Sequence, residues 1–250
     1  MKFQNDEYSN NMTIDNIKTL KIAQKKMTEM FRHFDRICRK YNIRYWCIGG
    51  TLLGAVRYNG WIPWDGDIDV AILNDDYSKL ENIIQSELPD NLWFQSPKSD
   101  KLYKGDPGIY KIRHLNSCYI NNYNSWHNGL QLDIFSSKII GNNINIDRVD
   151  YPINSILPTK SMYFEDILVS IPKNPEIYLR KKFGEYTKLP SIENRYPHEG
   201  ITIIIDKPCK WMLSKYPKLY KMKGGKKKKT NKVKRYKKKN KNKLSKKMYT

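Results

Sequence analysis

The sequence predicts an α/β fold of the α+β type, in which a mixed β-sheet is flanked by helices. One observation is a long amphipathic helix over residues 14–41, where apolar residues recur every three or four positions. Another is a series of strand-like segments separated by helices and turns. Their order (helix, strand, helix, strand, helix, then several strands) favours a mixed sheet over a helical bundle or a β-sandwich.

Each further element has its own local signal of periodicity, glycine, proline or a capping residue. In chain order the predicted strands cover residues 44–48, 67–73, 92–95, 109–113 and 130–135. The predicted helices cover 52–58, 75–88 and 176–183, and further core segments cover 202–205 and 211–216. Residues 59–66 form a turn-rich loop, and residues 140–172, which contain several prolines, are predicted to be irregular.

The basic charge of the chain is concentrated at its C-terminal end. The 250 residues carry a formal net charge of +21, of which residues 224–250 contribute +14 through thirteen Lys and one Arg without an acid. Low complexity of this kind predicts disorder. We therefore divide the chain into a flexible N-terminus (1–12), a folded domain (13–223) and a Lys-rich disordered tail (224–250). The tail suits non-specific contact with polyanions, a nuclear address, contact with an anionic surface, or a solubilising role without a partner.

Cysteine usage and hydropathy predict an intracellular protein with reduced thiols. The four cysteines show no CxxC spacing and no histidine at a zinc-ligand interval, so neither a structural zinc site nor a disulfide framework is expected. The N-terminus lacks the apolar stretch of a secretory signal peptide. No segment reaches the ~20 apolar residues of a membrane span. We expect a soluble, cytoplasmic protein.

Two acids at alternate positions of a predicted strand are the first candidates for chemistry. Asp67 and Asp69 would project from one face of the strand, while Ile68 and Val70 enter the core. Like charges this close repel each other, and a divalent cation relieves the repulsion because Mg²⁺ prefers carboxylate oxygens. Two solvated acids on an exposed sheet face are an equally good explanation of this pair alone.

A glycine turn precedes the carboxylate pair. Gly49-Gly50-Thr51 follows a predicted strand and opens a helix, where glycines let a ligand approach the backbone and the first amides favour an anion. A Gly-Gly pair is also often only a turn, and no GK[ST] follows to make a P-loop. A phosphate-binding turn and a carboxylate pair on adjacent strands are together what phosphoryl transfer requires.

Asp133 is the candidate for a third carboxylate. It is a lone acid in the apolar strand segment 130–135, where an edge position or a salt bridge is the alternative explanation. Three acids would allow two cations ~3.5–4 Å apart. Lys111 and Arg113 lie on another predicted strand, where they either face donor phosphates or are ordinary surface bases.

The stretch over residues 49–70 resembles the LicD family, which includes fukutin and fukutin-related protein within the nucleotidyltransferase-fold superfamily. The resemblance lies in GGTLLGAVR at 49–57, IPWD at 62–65 and DIDV at 67–70. It continues more weakly through Asp133-Ile134-Phe135 and through a C-terminal block that ends at Pro190. The combination is far more specific than a bare GG…DxD pattern.

The resemblance implies a role for the residues that carry it. The cation ligands and catalytic residues would be Asp67, Asp69 and Asp133, with Mg²⁺ or Mn²⁺ as cofactor. The residues holding the donor phosphates would be Gly49, Gly50 and Thr51. Arg57 would contact a phosphate or, equally, form a structural ion pair. Asp65 would support the cation ligands without binding the ion itself.

The implied activity is a metal-dependent transfer of a phosphocholine- or ribitol-phosphate-like group from a CDP-linked donor onto a glycan or glycoconjugate. Two alternatives stand beside it. One is a nucleotidyltransferase that moves NMP from an NTP to RNA, protein or a small molecule, and the other is a non-enzymatic basic protein that binds polyanions. One departure bears on donor specificity, because the family commonly has a second acid after PWD where this chain has Gly66.

Overall fold

The elements of the fold are those of a computed structural model, which describes residues 7–106, 108–120 and 129–224, without the side chains of 221–224. The helices are α1 (Ile14–Lys40), α2 (Gly49–Tyr58), α3 (Asn74–Glu87), α4 (Ile153–Ile156), α5 (Pro175–Phe183), α6 (Lys210–Lys215) and α7 (Pro217–Gly224). The strands are β1 (Tyr45–Cys47), β2 (Ile68–Leu73), β3 (Leu92–Gln95), β4 (Ile109–His114), β5 (Cys118–Ile120), β6 (Gln131–Ile140), β7 (Asn143–Ile146), β8 (Val149–Pro152), β9 (Lys160–Phe164), β10 (Ile167–Ile171) and β11 (Thr202–Ile204).

The predicted mixed sheet flanked by helices is confirmed. Within the described ranges, one seven-stranded sheet has the order β1-β2-β6-β4-β3, and β7 and β8 continue it from the far end of β6. Strands β2 and β6 are parallel, whereas β4 pairs antiparallel with both β6 and β3. Two further antiparallel pairs, β9–β10 and β5–β11, lie outside this sheet. The parallel β2–β6 pair is the centre of the sheet and, as described below, of the site.

Helix α1 covers one side of the core over its whole length. Thr13 caps its first turn by accepting a hydrogen bond from the Asn16 N–H, and Arg39 and Lys40 complement the helix dipole in the last turn. The apolar stripe predicted from the spacing is buried, with Phe31 and Phe34 fully inaccessible. Its position agrees with the sequence prediction to within one residue at the C-terminal end.

One buried polar residue of α1 fixes the loop that leads into β2. The side-chain amide of Gln24 donates to the carbonyl oxygens of Ile62, Pro63 and Asp65 at 3.3, 3.2 and 3.0 Å. Gln24 is only 3% exposed, so these bonds form away from solvent. The Pro-Trp-Asp segment is therefore held by the first helix as well as by its own turn.

The prediction of an irregular segment over residues 140–172 is wrong. This part forms two hairpins, β7–β8 and β9–β10, with the one-turn helix α4 between them. Their turns place Asp147, Arg148 and Glu165 at positive φ, where hairpins usually carry glycine or asparagine. The usual turn signals are therefore missing at these two turns, while the prolines lie at the end of β8 (Pro152) and in the connections after α4 and β10 (Pro158 and Pro172).

Two cysteines also depart from the prediction of reduced thiols. Cys118 on β5 and Cys209 before α6 form a disulfide, although 91 residues separate them in the chain. Pairing of β5 with β11 brings the two segments together, and sequence spacing carries no trace of that pairing. Cys38 and Cys47 are free and buried, as expected.

The chain ends differ in how much of them is described. Of the N-terminal segment 1–12, residues 7–12 are described, and Tyr8, Ser9 and Met12 among them are buried. The predicted disorder over residues 224–250 concerns residues that lie outside the described part, except Gly224 at the end of α7. Among the described residues, no helix combines the length and the apolar character that crossing a membrane requires.

We predict that Gln24→Met destabilises the protein by about 1–3 kcal/mol, because the carbonyl groups of the loop lose a buried donor while the side-chain volume is kept. Urea unfolding followed by circular dichroism measures the change. Lys25→Met, at the neighbouring exposed position, is the control and should leave the stability nearly unchanged. Equal midpoints for the two variants would contradict the anchoring role of Gln24.

Candidate active site

Strand register places three charged side chains side by side on one face of the sheet. Asp69 on β2 lies opposite Asp133 on β6 in the parallel pair, and Asp133 lies opposite Lys111 on β4 in the antiparallel pair. Residues in register on neighbouring strands project from the same face. The intervening residues Ile68 and Leu132 are fully buried on the other face, which fixes this orientation.

The three acids singled out from the sequence come together in the structure. Carboxylate oxygens of Asp67, Asp69 and Asp133 all lie within 4.8 Å of one another. Asp67 ends the loop before β2, and Asp69 is the second residue of that strand. Burial, and then the charge of neighbouring acids, raises the pKa of both Asp67 and Asp69. Their clustering therefore carries an electrostatic cost that protons or cations must relieve.

The two carboxylate oxygens of Asp133 differ in their hydrogen bonding. Its Oδ2 forms a buried ion pair with Lys111, whose side chain is 5% exposed. Its Oδ1 is buried and has no hydrogen-bond partner among the described residues. An unpaired buried carboxylate oxygen among other carboxylates is the donor chemistry that Mg²⁺ and Mn²⁺ prefer. The residues present therefore fit a divalent cation.

The two glycines leave room for carboxylates. A Cβ on Gly49 would lie 2.4 Å from Oδ2 of Asp69, and Gly49 adopts a left-handed φ of +53°. A Cβ on Gly50 would lie 2.4 Å from Oδ2 of Asp65. The glycine pair predicted to receive phosphates thus also allows the acids to pack against the start of α2. Because α2 begins at Gly49, its first amides have no carbonyl partner within their own helix.

Hydrogen bonds from the glycine turn fix the start of β2. The hydroxyl of Thr51, which is buried, accepts a 2.8 Å bond from the Asp69 N–H. The Gly49 N–H donates to the hydroxyl of Tyr178 on α5 at 3.1 Å. Asp69 is therefore tied through its backbone to α2, and α2 is tied to α5. Binding of donor phosphates by Gly49, Gly50 and Thr51 stays a prediction.

Asp65 lies at the edge of the acidic cluster. Its Oδ1 accepts a hydrogen bond from the Gly66 N–H at 3.1 Å. Burial, followed by the charge of Asp67, raises the pKa of Asp65 well above its usual value. It approaches Asp67 from the loop, and its supporting role at a cation site stays a prediction.

A second group of polar residues, on β3, β4 and β6, lies next to the row formed by Asp69, Asp133 and Lys111. Arg113 on β4 is 2% exposed and bonds to the side-chain oxygens of Gln95 and Gln131 at 2.8 and 2.7 Å. Gln131 in turn donates to Asp67 at 3.4 Å. The Nη2 group of Arg113 is buried without a hydrogen-bond partner among the described residues. Arg113 and Lys111 therefore bring positive charge next to the carboxylates rather than to the surface.

Arg57 lies elsewhere. It sits in the last turn of α2, about 12 Å along the helix axis from Gly49. Its guanidinium donates to the backbone carbonyls of Tyr186 and Lys188 in the C-terminal block. The structure does not bring Arg57 to the acidic cluster, and these contacts favour the structural role that the sequence left open.

The sequence reasoning missed a fifth acid, Glu199. Its side chain contacts Asp67, and burial followed by the charge of Asp67 raises the pKa of Glu199 well above its usual value. Glu199 lies in an irregular segment more than 130 residues from Asp67, and no local pattern marks it. Only the fold brings this segment beside the loop before β2.

A polar cleft of about 360 Å³ opens further along the same strands. Its lining includes Phe135, two residues beyond Asp133 on β6, and Ile109, two residues before Lys111 on β4. Lys138 and Arg148 add positive charge and Asp147 adds negative charge. Tyr110 and Ser136, the strand neighbours of Ile109 and Phe135, also line the cleft, whereas no acid of the cluster does so.

Comparison with known proteins points to one family. The LicD/FKTN/FKRP nucleotidyltransferase domain matches residues 42–174. The lipopolysaccharide cholinephosphotransferase LicD of Haemophilus influenzae is 38% identical over 77 residues, which cover 31% of this chain and 26% of that protein. Human ribitol 5-phosphate transferase FKRP is 25% identical over 183 residues, covering 70% of this chain and 34% of FKRP.

A further relative is an uncharacterized protein of Rickettsia prowazekii, 29% identical over 221 residues, which cover 83% of this chain and 73% of that protein. In contrast, the chain spans only about a quarter of LicD and a third of FKRP. The family match includes the glycine turn, both strand acids and Asp133, and it extends over more than half of the 250 residues. This chain belongs to the LicD/FKTN/FKRP nucleotidyltransferase domain family.

Proposed function

We propose that this protein is a cation-dependent transferase that moves a phospho-alcohol group, such as phosphocholine or ribitol phosphate, from a CDP-linked donor onto a glycan or glycoconjugate. The observation that carries the proposal is the convergence of Asp67, Asp69 and Asp133 beside the glycine turn. Family membership adds support, because relatives that carry names are a cholinephosphotransferase and a ribitol 5-phosphate transferase.

The acidic cluster is the proposed cation site. Asp67, Asp69 and Asp133 hold Mg²⁺ or Mn²⁺, with Asp65 supporting them from the loop. The bound cation supplies positive charge that offsets the charge developing on the transferred phosphate. The carboxylates keep their positions because the Asp69 backbone is bonded to Thr51 and the strand register fixes Asp133.

Positive groups next to the cluster bind the donor phosphates in this proposal. The start of α2, at Gly49, Gly50 and Thr51, is the proposed anion site at a helix N-terminus. The amides of Gly50 and Thr51 donate there, because that of Gly49 is bonded to Tyr178. Lys111 and Arg113 add two buried cations on the adjacent strand. Lys111 forms an ion pair with Asp133 and so neutralises its charge. The Nη2 group of Arg113 has no hydrogen-bond partner among the described residues. In this proposal Lys111 and Arg113 each bind an oxygen of the donor phosphates.

The reaction then follows as an in-line displacement at phosphorus. A hydroxyl oxygen of the acceptor forms a new bond to the phosphorus that carries the alcohol. The bond between that phosphorus and CMP breaks, CMP leaves with the electron pair, and the hydroxyl proton passes to solvent or to a carboxylate. We assign this chemistry to residues 13–223, with the basic segment 224–250 as a separate region that contacts polyanions or has no partner.

We predict that Asp67→Asn and Asp69→Asn each lower CMP release by about 100-fold or more, as expected when a group that stabilises the transferred charge is removed. The assay offers CDP-choline and CDP-ribitol with a mixed glycan acceptor in Mg²⁺ or Mn²⁺ and measures CMP. Asp75→Asn is the matched control, because Asp75 is exposed at the start of α3.

The same assay separates this function from its competitors. If the protein releases pyrophosphate from an NTP and no CMP from either CDP-alcohol, it is a nucleotidyltransferase and the proposed phospho-alcohol transfer is wrong. No nucleotide product from a folded wild-type protein, together with polyanion binding that depends on residues 224–250, would favour a binding protein.

We predict that Asp69→Asn gains stability relative to the wild type as pH rises, when EDTA removes cations. Burial and neighbouring acids raise the pKa of Asp69 in the folded state, so the folded protein holds a proton that the unfolded chain has released. Stability from such a group is present at low pH and declines as pH rises towards the raised pKa. Asparagine has no charge to acquire, so the variant avoids this loss.

Urea unfolding of both proteins across pH 5 to pH 8 in EDTA measures the difference in the free energy of unfolding. Titrating groups away from the cluster, including the histidines, are common to both proteins and cancel in that difference. The neighbouring acids do not cancel, but they change it in the same direction, because the variant removes a charge that repels them. Saturating Mg²⁺ should reverse the trend by stabilising the ionised wild-type cluster. A difference that stays constant with pH would contradict a repelling carboxylate cluster.

A further inference from the structure

The space beside Gly66 is filled by a carboxylate from a distant part of the chain. A Cβ on Gly66 would lie 2.3 Å from Oε2 of Glu199 and 3.0 Å from Cβ of Pro197. The φ of Gly66 lies outside the left-handed region, so its backbone conformation accepts other residues. What excludes a side chain at position 66 is therefore mainly the Glu199 carboxylate.

Glu199 reaches the acidic cluster itself. Its carboxyl group is hydrogen-bonded to that of Asp67, and burial together with the charges of Asp67 and nearby Asp65 raises its pKa. Its Oε2 atom is buried. The cluster thus contains five carboxyl groups, of which four come from residues 65–133 and one from the C-terminal part of the chain.

The segment that carries Glu199 is anchored to β5, which also contacts the loop before β2. After Glu199 the chain forms β11, which pairs with β5, and the disulfide between Cys118 and Cys209 closes the same pair of segments. Tyr119 on β5 donates a hydrogen bond to the carbonyl oxygen of Gly66 at 2.5 Å. The position of Glu199 beside Gly66 is therefore set by strand pairing and covalent linkage.

The cluster holds more negatively than positively charged side chains. The buried Lys111 pairs with Asp133, and the buried Arg113 bonds to Gln131, which in turn bonds to Asp67. Five carboxyl groups therefore meet beside two buried cations. The Oδ1 atom of Asp133 is buried and has no hydrogen-bond partner among the described residues. A divalent cation is the ligand that such a set of oxygens accepts.

We propose that Glu199 is a further carboxylate of the divalent-cation site and occupies the place that an acidic side chain at position 66 would take. The inference rests on the proposed cation site, and it adds a residue from outside residues 42–174, the range that the family matches. It also accounts for the glycine that follows Pro-Trp-Asp, since this chain supplies a carboxylate to that place from another segment.

Titration with Mn²⁺, followed by calorimetry or by the electron paramagnetic resonance of free Mn²⁺, tests the proposal without an assay of activity. Glu199→Gln keeps the size of the side chain and removes its charge, and we expect Mn²⁺ affinity to fall about tenfold or more. Glu193→Gln is the matched control, because Glu193 is exposed in the same C-terminal segment. It should bind Mn²⁺ as the wild type does.

A swap of positions tests whether residues 66 and 199 share one place. Glu199→Ala should weaken Mn²⁺ binding, and Gly66→Asp combined with Glu199→Ala should recover most of the lost affinity. Gly66→Asp alone should lower the melting temperature, because its side chain meets Glu199. Circular dichroism and melting curves identify any variant that fails to fold, and Glu199→Gln, which adds no volume, provides the measurement that does not depend on repacking.

The outcomes distinguish this inference from the function on which it rests. If the wild type and both Gln variants bind no Mn²⁺, the proposed cation site fails. If the wild type binds Mn²⁺ and Glu199→Gln binds it equally well, the cation site stands and the role of Glu199 is overturned. A folded double variant that binds as weakly as Glu199→Ala would overturn the shared place of residues 66 and 199.

Discussion

The parallel pairing of β2 with β6 sets Asp69 directly beside Asp133, and the repulsion between these carboxylates is the constraint around which the site is built. Several neighbouring residues reduce this repulsion or accommodate the two carboxylates. Lys111 occupies the same register on the next strand and pairs with Asp133. Glycine at position 49 gives the Asp69 carboxylate room to turn towards α2, and Thr51 holds the Asp69 backbone. Strand pairing imposes the proximity of the acids, and the cationic partner lowers its electrostatic cost.

The loop before β2 is the second structural element on which the site depends, and it is held from two directions. Gln24 on α1 donates to three of its carbonyl groups, and Tyr119 on β5 donates to the carbonyl of Gly66. Both donors lie outside the loop, on α1 and on β5, so the loop depends on the rest of the fold for these hydrogen bonds. Residue 24 precedes the range that the family matches and residue 199 follows it. The cluster that this protein presents is thus completed by parts of the chain that a comparison over residues 42–174 does not cover.

Much of the fold follows from local patterns, and the exceptions have physical causes. The stripe on α1 follows from the sequence because that helix buries one face, and β2 follows from its apolar run, in which Asp69 is the only residue that is not buried. The hairpins between residues 143 and 171 were missed because Asp147, Arg148 and Glu165 adopt positive φ without glycine. Arg57 stays open in the sequence for another reason, since its charge suits a phosphate contact and a structural ion pair equally, and only the fold shows its contacts with backbone carbonyls of a distant segment.

By itself, the sequence determined the chemical type of the site and most of its members. Alternation in a strand puts Asp67 and Asp69 on one face, and a lone acid between apolar residues marks Asp133. The tertiary structure decided which of these groups meet, because register between strands depends on long-range packing. Only the fold shows that Lys111 faces Asp133, that Cys118 bonds to Cys209, and that Glu199 fills the space beside Gly66. Contacts between residues so far apart in the chain leave no periodic signal, whereas the properties of a single strand or helix do.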